Sequence, residues 1–182
     1  MPEPVQADSS GLEVLRQKIR DVPNFPKEGI VFKDITTLLK DHDAYRQAVE
    51  LMAAPYEGKG VRLVVGVESR GFIFGGALAY RLGAGFVPVR KEGKLPYEKI
   101  SEAYQLEYGS AVLEIHRDAI GPGEPVVIVD DLLATGGTAR ATARLVQQLG
   151  GRVVGMSFLV ELRFLKGADH LSEYQVVSQI KF

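Results

Sequence analysis

The sequence predicts an α/β fold, a parallel-rich twisted sheet flanked by helices. Three observations lead there. Residues 63–67, 126–129 and 153–160 are short apolar runs without polar alternation, the pattern of strands buried on both faces. Helical spacing follows the first two, over 71–82 and 139–149. Strands and helices taking turns at this interval form βαβ units around a parallel sheet.

Taken in order, residues 1–9 read as a frayed tail, and residues 10–182 as a single domain. Ser10 and Glu13 fit a capping box, and Leu12, Leu15 and Ile19 continue at helical spacing, so a helix is expected over 11–21. Pro23, Pro26 and Gly29 break it into turns, before a short extended piece at 30–32. Asp41 opens a second helix with Tyr45, Ala48, Val49 and Met52 on one face. After the strand at 63–67 and the helix at 71–82, residues 86–89 form the next strand. Residues 91–104 are charged and lack a clean period. Residues 105–110 read as a turn between strands, leading into 111–115. The strand at 126–129, the helix at 139–149 and the strand at 153–160 follow, and 174–177 is a last short strand. There are no internal repeats and no low-complexity segment.

Composition narrows the chemistry. Hydrophobic residues make up 46% of the 182, enough to exclude disorder for most of the chain. The absence of cysteine excludes disulfides, thiol nucleophiles and thiolate metal sites. His42, His116 and His170 are too far apart in sequence to suggest a histidine-built zinc site, and covering surface is their default role. A net charge of −1 gives the whole molecule no pull toward nucleic acid or an anionic membrane. The first 30 residues resemble no signal peptide and no run suits a membrane span, so the cytoplasm is the expected compartment.

The informative stretch runs from Val126 to Thr138. A buried strand delivers Asp130 and Asp131 at its end; Leu132, Leu133 and Ala134 lead into Thr135-Gly136-Gly137-Thr138; a helix then begins. Ligands of open α/β sheets bind beyond the carboxyl ends of strands. A helix N-terminus behind a glycine-rich loop offers unpaired N–H donors and partial positive charge, which suits a phosphate. The two acids repel phosphate but accept hydrogen bonds from vicinal hydroxyls. Phosphate and diol side by side describe a ribose 5-phosphate. The competing reading is a tight strand-to-helix turn in which an aspartate caps the helix.

This string resembles the 5-phosphoribosyl 1-diphosphate signature of the type I phosphoribosyltransferases. Phe25-Pro26, Gly29-Ile30-Val31-Phe32-Lys33-Asp34, Val67-Glu68-Ser69-Arg70-Gly71-Phe72, Arg90-Lys91, Gly93-Lys94-Leu95-Pro96 and Leu106-Glu107-Tyr108-Gly109 are similar to the adenine branch of that family, over about Leu12 to Leu171. Lys33 stands where arginine is more usual.

The resemblance implies the type I fold with a small N-terminal hood at about 10–36 and a mobile lid at about 92–107. It implies transfer of a phosphoribosyl group from the diphosphate to adenine, giving AMP and pyrophosphate in purine salvage, with magnesium carried mainly by the diphosphate. No side chain is assigned as a direct metal ligand. Asp130, Asp131, Ala134, Thr135, Gly136, Gly137 and Thr138 would bind the ribose phosphate. Ser69, Arg70, Arg90, Lys91, Lys94 and Tyr108 would face the diphosphate, with a Glu68–Ser69 peptide that can be cis; simple packing is the alternative for Tyr108, and a solvated basic surface around Glu92 for Lys91 and Lys94. Glu107 would exchange a proton with the purine, against the alternative of a surface acid in a hairpin turn. Phe32 and Leu132 would sandwich adenine while the backbone of Val31 and Lys33 reads its edge, against an ordinary core role for Phe32. A homodimer is expected. The rival functions are transfer to a 6-oxopurine such as xanthine, and a regulator that senses the diphosphate.

Overall fold

The computed structural model describes residues 9–105 and 110–182. The chain divides into two compact units, Met1–Leu51 and Met52–Phe182.

In the N-terminal unit, α1 (Ser9–Gln17) ends four residues before the expected 21. Lys18 and Ile19 close a turn through N–H bonds to the carbonyls of Leu15 and Arg16, each 3.1 Å. β1 (Arg20–Pro23) then pairs antiparallel with β2 (Val31–Asp34), Arg20 opposite Asp34. Helical spacing at Ile19 is a local preference, and the partner strand overrides it. Asp34 fixes the hairpin's end: its carboxylate accepts from Arg20 Nε at 3.1 Å and from the Thr36 N–H at 2.9 Å. Those bonds, Arg20's first, hold its pKa down at about 2. α2 (Thr36–Leu39) and α3 (His42–Ala53) follow, the latter where Asp41 predicts it. Asp41 Oδ1 accepts from the Ala44 N–H at 3.1 Å, a side-chain cap for the first turn.

The C-terminal unit holds β3 (Leu63–Val67), α4 (Gly71–Leu82), β4 (Gly85–Lys91), β5 (Lys99–Gln105), β6 (Ser110–His116), β7 (Pro125–Leu133), α5 (Gly137–Gln148), β8 (Arg152–Glu161) and β9 (Val176–Lys181). Its sheet runs β5-β6-β4-β3-β7-β8-β9. β4, β3, β7, β8 and β9 are parallel, while β6 joins β4, and β5 joins β6, antiparallel. The parallel-rich sheet is therefore as expected, with an antiparallel hairpin added at one edge. β5 escapes the sequence reading because its inward face is Ile100, Glu102 and Tyr104, with a charge between the two residues that pack on the core. The core itself is apolar and mostly aliphatic: Val65, Val87, Val89, Ile128, Leu145, Val146 and Met156 are buried together with Phe158. Each such side chain contributes roughly 1.5–3 kcal/mol on burial. α5 reaches the sheet closely because Ala139, Ala143 and Thr142 share its buried face with Leu145 and Val146. Among the described residues, no helix is long and apolar enough to cross a membrane.

Candidate active site

β7 runs four residues past the expected 129, so Asp130 and Asp131 are strand residues. The loop from Ala134 to Gly136 then turns into α5, whose first turn carries no acidic side chain. Its leading N–H groups and dipole are thus left for an anion. Gly136 holds the turn at φ 83° and ψ −6°, a conformation other residues rarely adopt. A Cβ there would also sit 2.6 Å from the Gly167 carbonyl oxygen. Gly167 is confined in return, since a Cβ on it would overlap the Ala134 carbonyl. His170 Nδ1 lies 3.0 Å from the Thr135 carbonyl oxygen. A carbonyl only accepts, so Nδ1 carries the proton. The segment 167–170 thus backs the loop from behind. The loop encloses a cavity of about 70 Å³ lined by Asp130, Leu132, Ala134, Thr135, Gly136, Gly137 and Thr138.

A second cleft, of about 270 Å³, shares Asp130, Leu132 and Thr138 with the first. Its other walls include Glu68, Ser69, Arg70, Lys91, Tyr104 and Asp131. The Glu68–Ser69 peptide bond is cis, as expected. Arg70, at the N-cap of α4, places Nε 2.9 Å from Asp131 Oδ2. That oxygen is buried and receives no aligned hydrogen bond, so the contact is one of charge only. Arg90 is tied differently: Nε donates to Glu68 Oε2 at 3.0 Å and Nη1 to the Lys94 carbonyl at 3.2 Å. The Lys91 N–H also donates to Glu68 Oε2, at 3.1 Å. Burial pushes the Glu68 pKa up, but the bonds from Arg90 and Lys91 outweigh it and hold the carboxyl below its ordinary range.

The aspartates have the opposite problem. Burial pushes Asp130 well above the ordinary carboxylate range, and the neighbouring Asp131 charge adds to it. Burial also raises Asp131, against the pull of the Arg70 guanidinium. Asp130 Oδ1 accepts from the Asp131 N–H at 2.9 Å. The site therefore holds acceptors short of donors, next to a loop of donors short of acceptors.

One continuous surface thus brings together Ser69, Arg70, Lys91, Asp130, Asp131, Leu132, Ala134, Thr135, Gly136, Gly137 and Thr138. Arg90 and Lys94 lie beside it, the former bonded to Glu68 and the latter exposed. Val31, Phe32 and Lys33 belong to the N-terminal unit. There the Phe32 ring is half-buried and meets Phe25 edge-on at 5.2 Å, so it is no ordinary core residue. Lys33 Nζ is committed to Asp21 Oδ1 at 2.7 Å. Glu107 and Tyr108 lie outside the described residues. Sequence reasoning missed Tyr104, Gly167 and His170. The Tyr104 signal was hidden in a stretch without period, and a lone glycine or histidine 30 residues from the loop carries no local pattern.

The family described as Phosphoribosyl transferase domain matches residues 34–180. A protein of Acidobacterium capsulatum named adenine phosphoribosyltransferase is 55% identical over 174 residues, 96% of each chain. One of the same name from Desulfitobacterium hafniense is 58% identical over 164 residues, 90% of this chain and 95% of the other. The crystal structure of the Rhodothermus marinus adenine phosphoribosyltransferase superposes with a TM-score of 0.93 at 52% identity, covering 96% of this chain and all of that one. The chain belongs to the adenine phosphoribosyltransferase family. A further family member, from Saccharomyces cerevisiae, superposes at 0.89 with 40% identity over 94% of this chain and 99% of its own, and holds an imino-altritol bisphosphate together with adenine. The loop at 134–138 and both clefts fall inside the matched span, whereas Val31, Phe32 and Lys33 stand just before it.

Proposed function

We propose that this protein transfers the 5-phosphoribosyl group from 5-phosphoribosyl 1-diphosphate to N9 of adenine, yielding AMP and pyrophosphate in cytoplasmic purine salvage. The observation that carries the reading is the shared wall of the two clefts. A donor-rich loop, a donor-hungry acid pair and a cationic cleft follow one another in the order of a 5-phosphate, a ribose diol and a diphosphate.

The loop N–H groups of 135–138 would bind the 5-phosphate, helped by the α5 dipole. Asp130 and Asp131 would accept from the ribose hydroxyls, which supplies the donors they lack. Arg70, Lys91 and Lys94 would meet the leaving diphosphate, with Arg90 braced by Glu68 at its side. As the bond from C1 to the diphosphate oxygen breaks, positive charge grows on the ribose ring, and the nearby carboxylates favour it. Glu107 would take the proton displaced from the purine as N9 bonds to C1. Tyr108 would add a hydroxyl for the diphosphate. Phe32 and Leu132 would pack on adenine, with the backbone of Val31 and Lys33 reading its edge. The engagement of Lys33 Nζ with Asp21 supports a backbone role for that residue.

Magnesium suits this site as a passenger. Among the described residues no cluster of three or more His, Cys, Asp or Glu could hold a metal. The buried Asp131 Oδ2 lacks a donor and suits a metal-bound water or a hydroxyl. When bound, magnesium supplies positive charge to the leaving diphosphate, while Asp130 and Asp131 would hold its waters. We expect a homodimer in solution.

The test is kcat/KM for adenine, hypoxanthine, guanine and xanthine under one set of conditions. A buried backbone acceptor facing a 6-oxo group costs about 1–3 kcal/mol, so discrimination of at least roughly 5-fold is expected. Comparable values for adenine and any 6-oxopurine would overturn the choice of base. Failure to form any nucleotide would overturn the transferase.

A further inference from the structure

Among the described residues, β5 is the edge strand of the sheet and pairs only with β6. β6 in turn meets β4 over just two register pairs, Arg90 with Glu114 and Lys91 with Leu113. Such a hairpin has little backbone hold on the rest of the sheet, and local opening is easiest where few bonds cross. Yet it supplies Tyr104 to the lining of the larger of the two clefts, together with Asp131 and Thr138. Something other than the ladder must set where that ring stands.

Glu102 occupies the same face of β5 as Tyr104, two residues earlier. Its Oε1 accepts from Arg144 Nη1 at 2.9 Å, and its Oε2 from Gln148 Nε2 at 2.9 Å. Arg144 and Gln148 are four residues apart on α5, so they stand one above the other on a single helix face. One carboxylate thus engages two turns of the helix with both oxygens. The Glu102 side chain is only 16% exposed, against 50% for Arg144, so the carboxylate end is the shielded one. Ile100 and Tyr104 flank it and pack on the core. α5 is also the helix whose N-terminus completes the phosphate loop.

We propose that Glu102 is a positioning residue, latching β5 to α5 so that Tyr104 and the phosphate loop stay at a fixed separation across the substrate cleft. This rests on the reading of that cleft as the phosphoribosyl diphosphate site. Glu102 touches no reacting atom; it acts through Tyr104 and α5. Its loss should therefore appear in substrate binding and in the mobility of β5 before it appears in global stability.

The experiment compares Glu102→Ala, Glu102→Gln, and the reversed pair Glu102→Arg with Arg144→Glu against the wild type. Steady-state kinetics with phosphoribosyl diphosphate and adenine, thermal melts, and amide exchange over 99–105 in the ligand-free protein are measured for each. Glu102→Ala is expected to raise KM for the diphosphate about 10-fold, with a smaller fall in kcat, because small misplacements of a substrate wall are felt strongly. Exchange over 99–105 should quicken while Tm holds within a few degrees. Glu102→Gln, which keeps an acceptor for Arg144, should fall between, and the reversed pair should recover much of the KM. A Glu102→Ala protein with unchanged KM, unchanged exchange over 99–105, or a reversed pair no better than the alanine variant would overturn the latch. Should the wild type form no AMP, the functional reading fails instead, and exchange alone decides the latch.

Discussion

Asp130 and Asp131 sit where two carboxylates are least comfortable, adjacent, the first half-buried and the second buried, with one guanidinium held off the hydrogen-bond axis of Asp131. A carboxyl whose pKa is raised on folding binds its proton more tightly in the native state. Stability then falls as pH climbs from the ordinary value of 3.8 toward the raised one. Asp130→Asn removes the charge and keeps the shape. It should raise stability at pH 7 by on the order of 0.5–2 kcal/mol, as relief of a functional site commonly does, while weakening AMP binding. Melts at pH 7 and pH 4 test the sign: the gain should shrink toward the lower pH, and an equal gain at both would refute the electrostatic cause. Gly167 gives a second test, from the far side of the loop. Its Cβ would overlap the Ala134 carbonyl, so Gly167→Ala must push the loop or itself away, at about 1–3 kcal/mol. AMP affinity should drop with it, and a calorimetric titration matching the wild type would remove Gly167 from the loop's support. Asp130, Thr135 and Gly136 were legible because strand, acids and loop occur in one string. Gly167 and His170 were not, since their role exists only where a distant turn meets that string.

At the level of elements, the apolar runs were the reliable signal. β3 and α4 begin and end where the sequence puts them, because a strand covered on both faces and a helix closed by Gly83 leave little choice. β1 and β5 failed for a shared reason: each belongs to a hairpin whose partner, not its own pattern, makes it a strand. The end of β4 depends on a single side chain in the same way. Glu68 gathers Arg90 Nε and the Lys91 N–H onto one oxygen. A carboxyl with a depressed pKa stabilises the fold above the ordinary value near 4.5 and loses that contribution as pH falls through the lower, folded one. Glu68→Gln should therefore lower stability at pH 7 by at most about 1 kcal/mol, as partly exposed pairs do, and the difference should shrink as pH falls through the lowered pKa. With Arg90 held less firmly by a neutral acceptor, KM for the diphosphate should rise as well. Identical melts at pH 7 would show that the Glu68 charge contributes nothing there.

For the whole molecule, the surface of α4 outside the core bears on assembly. Gly71, Phe74, Gly75, Leu78 and Ala79 are buried, whereas Ile73 is 40% and Tyr80 92% exposed. Those two are seven residues apart, so they share one stripe of the helix, with Gly76 and Ala77 between them at the (i, i+3) and (i, i+4) spacings. A Cβ on Gly76 would meet nothing within 4 Å. Single exposed apolar residues are ordinary, but an aligned stripe floored by small residues lets another surface approach closely. We propose this stripe as the contact surface of the proposed homodimer. Light scattering should find the wild type at twice the 19.9 kDa of one chain, and Tyr80→Glu at the single mass. Because Tyr80 is nearly bare in the isolated chain, its replacement should change folding stability by no more than about 0.5 kcal/mol. Loss of the dimer in a variant that melts as a folded protein would then report on the interface alone. A Tyr80→Glu dimer would move the interface elsewhere, and a monomeric wild type would remove it.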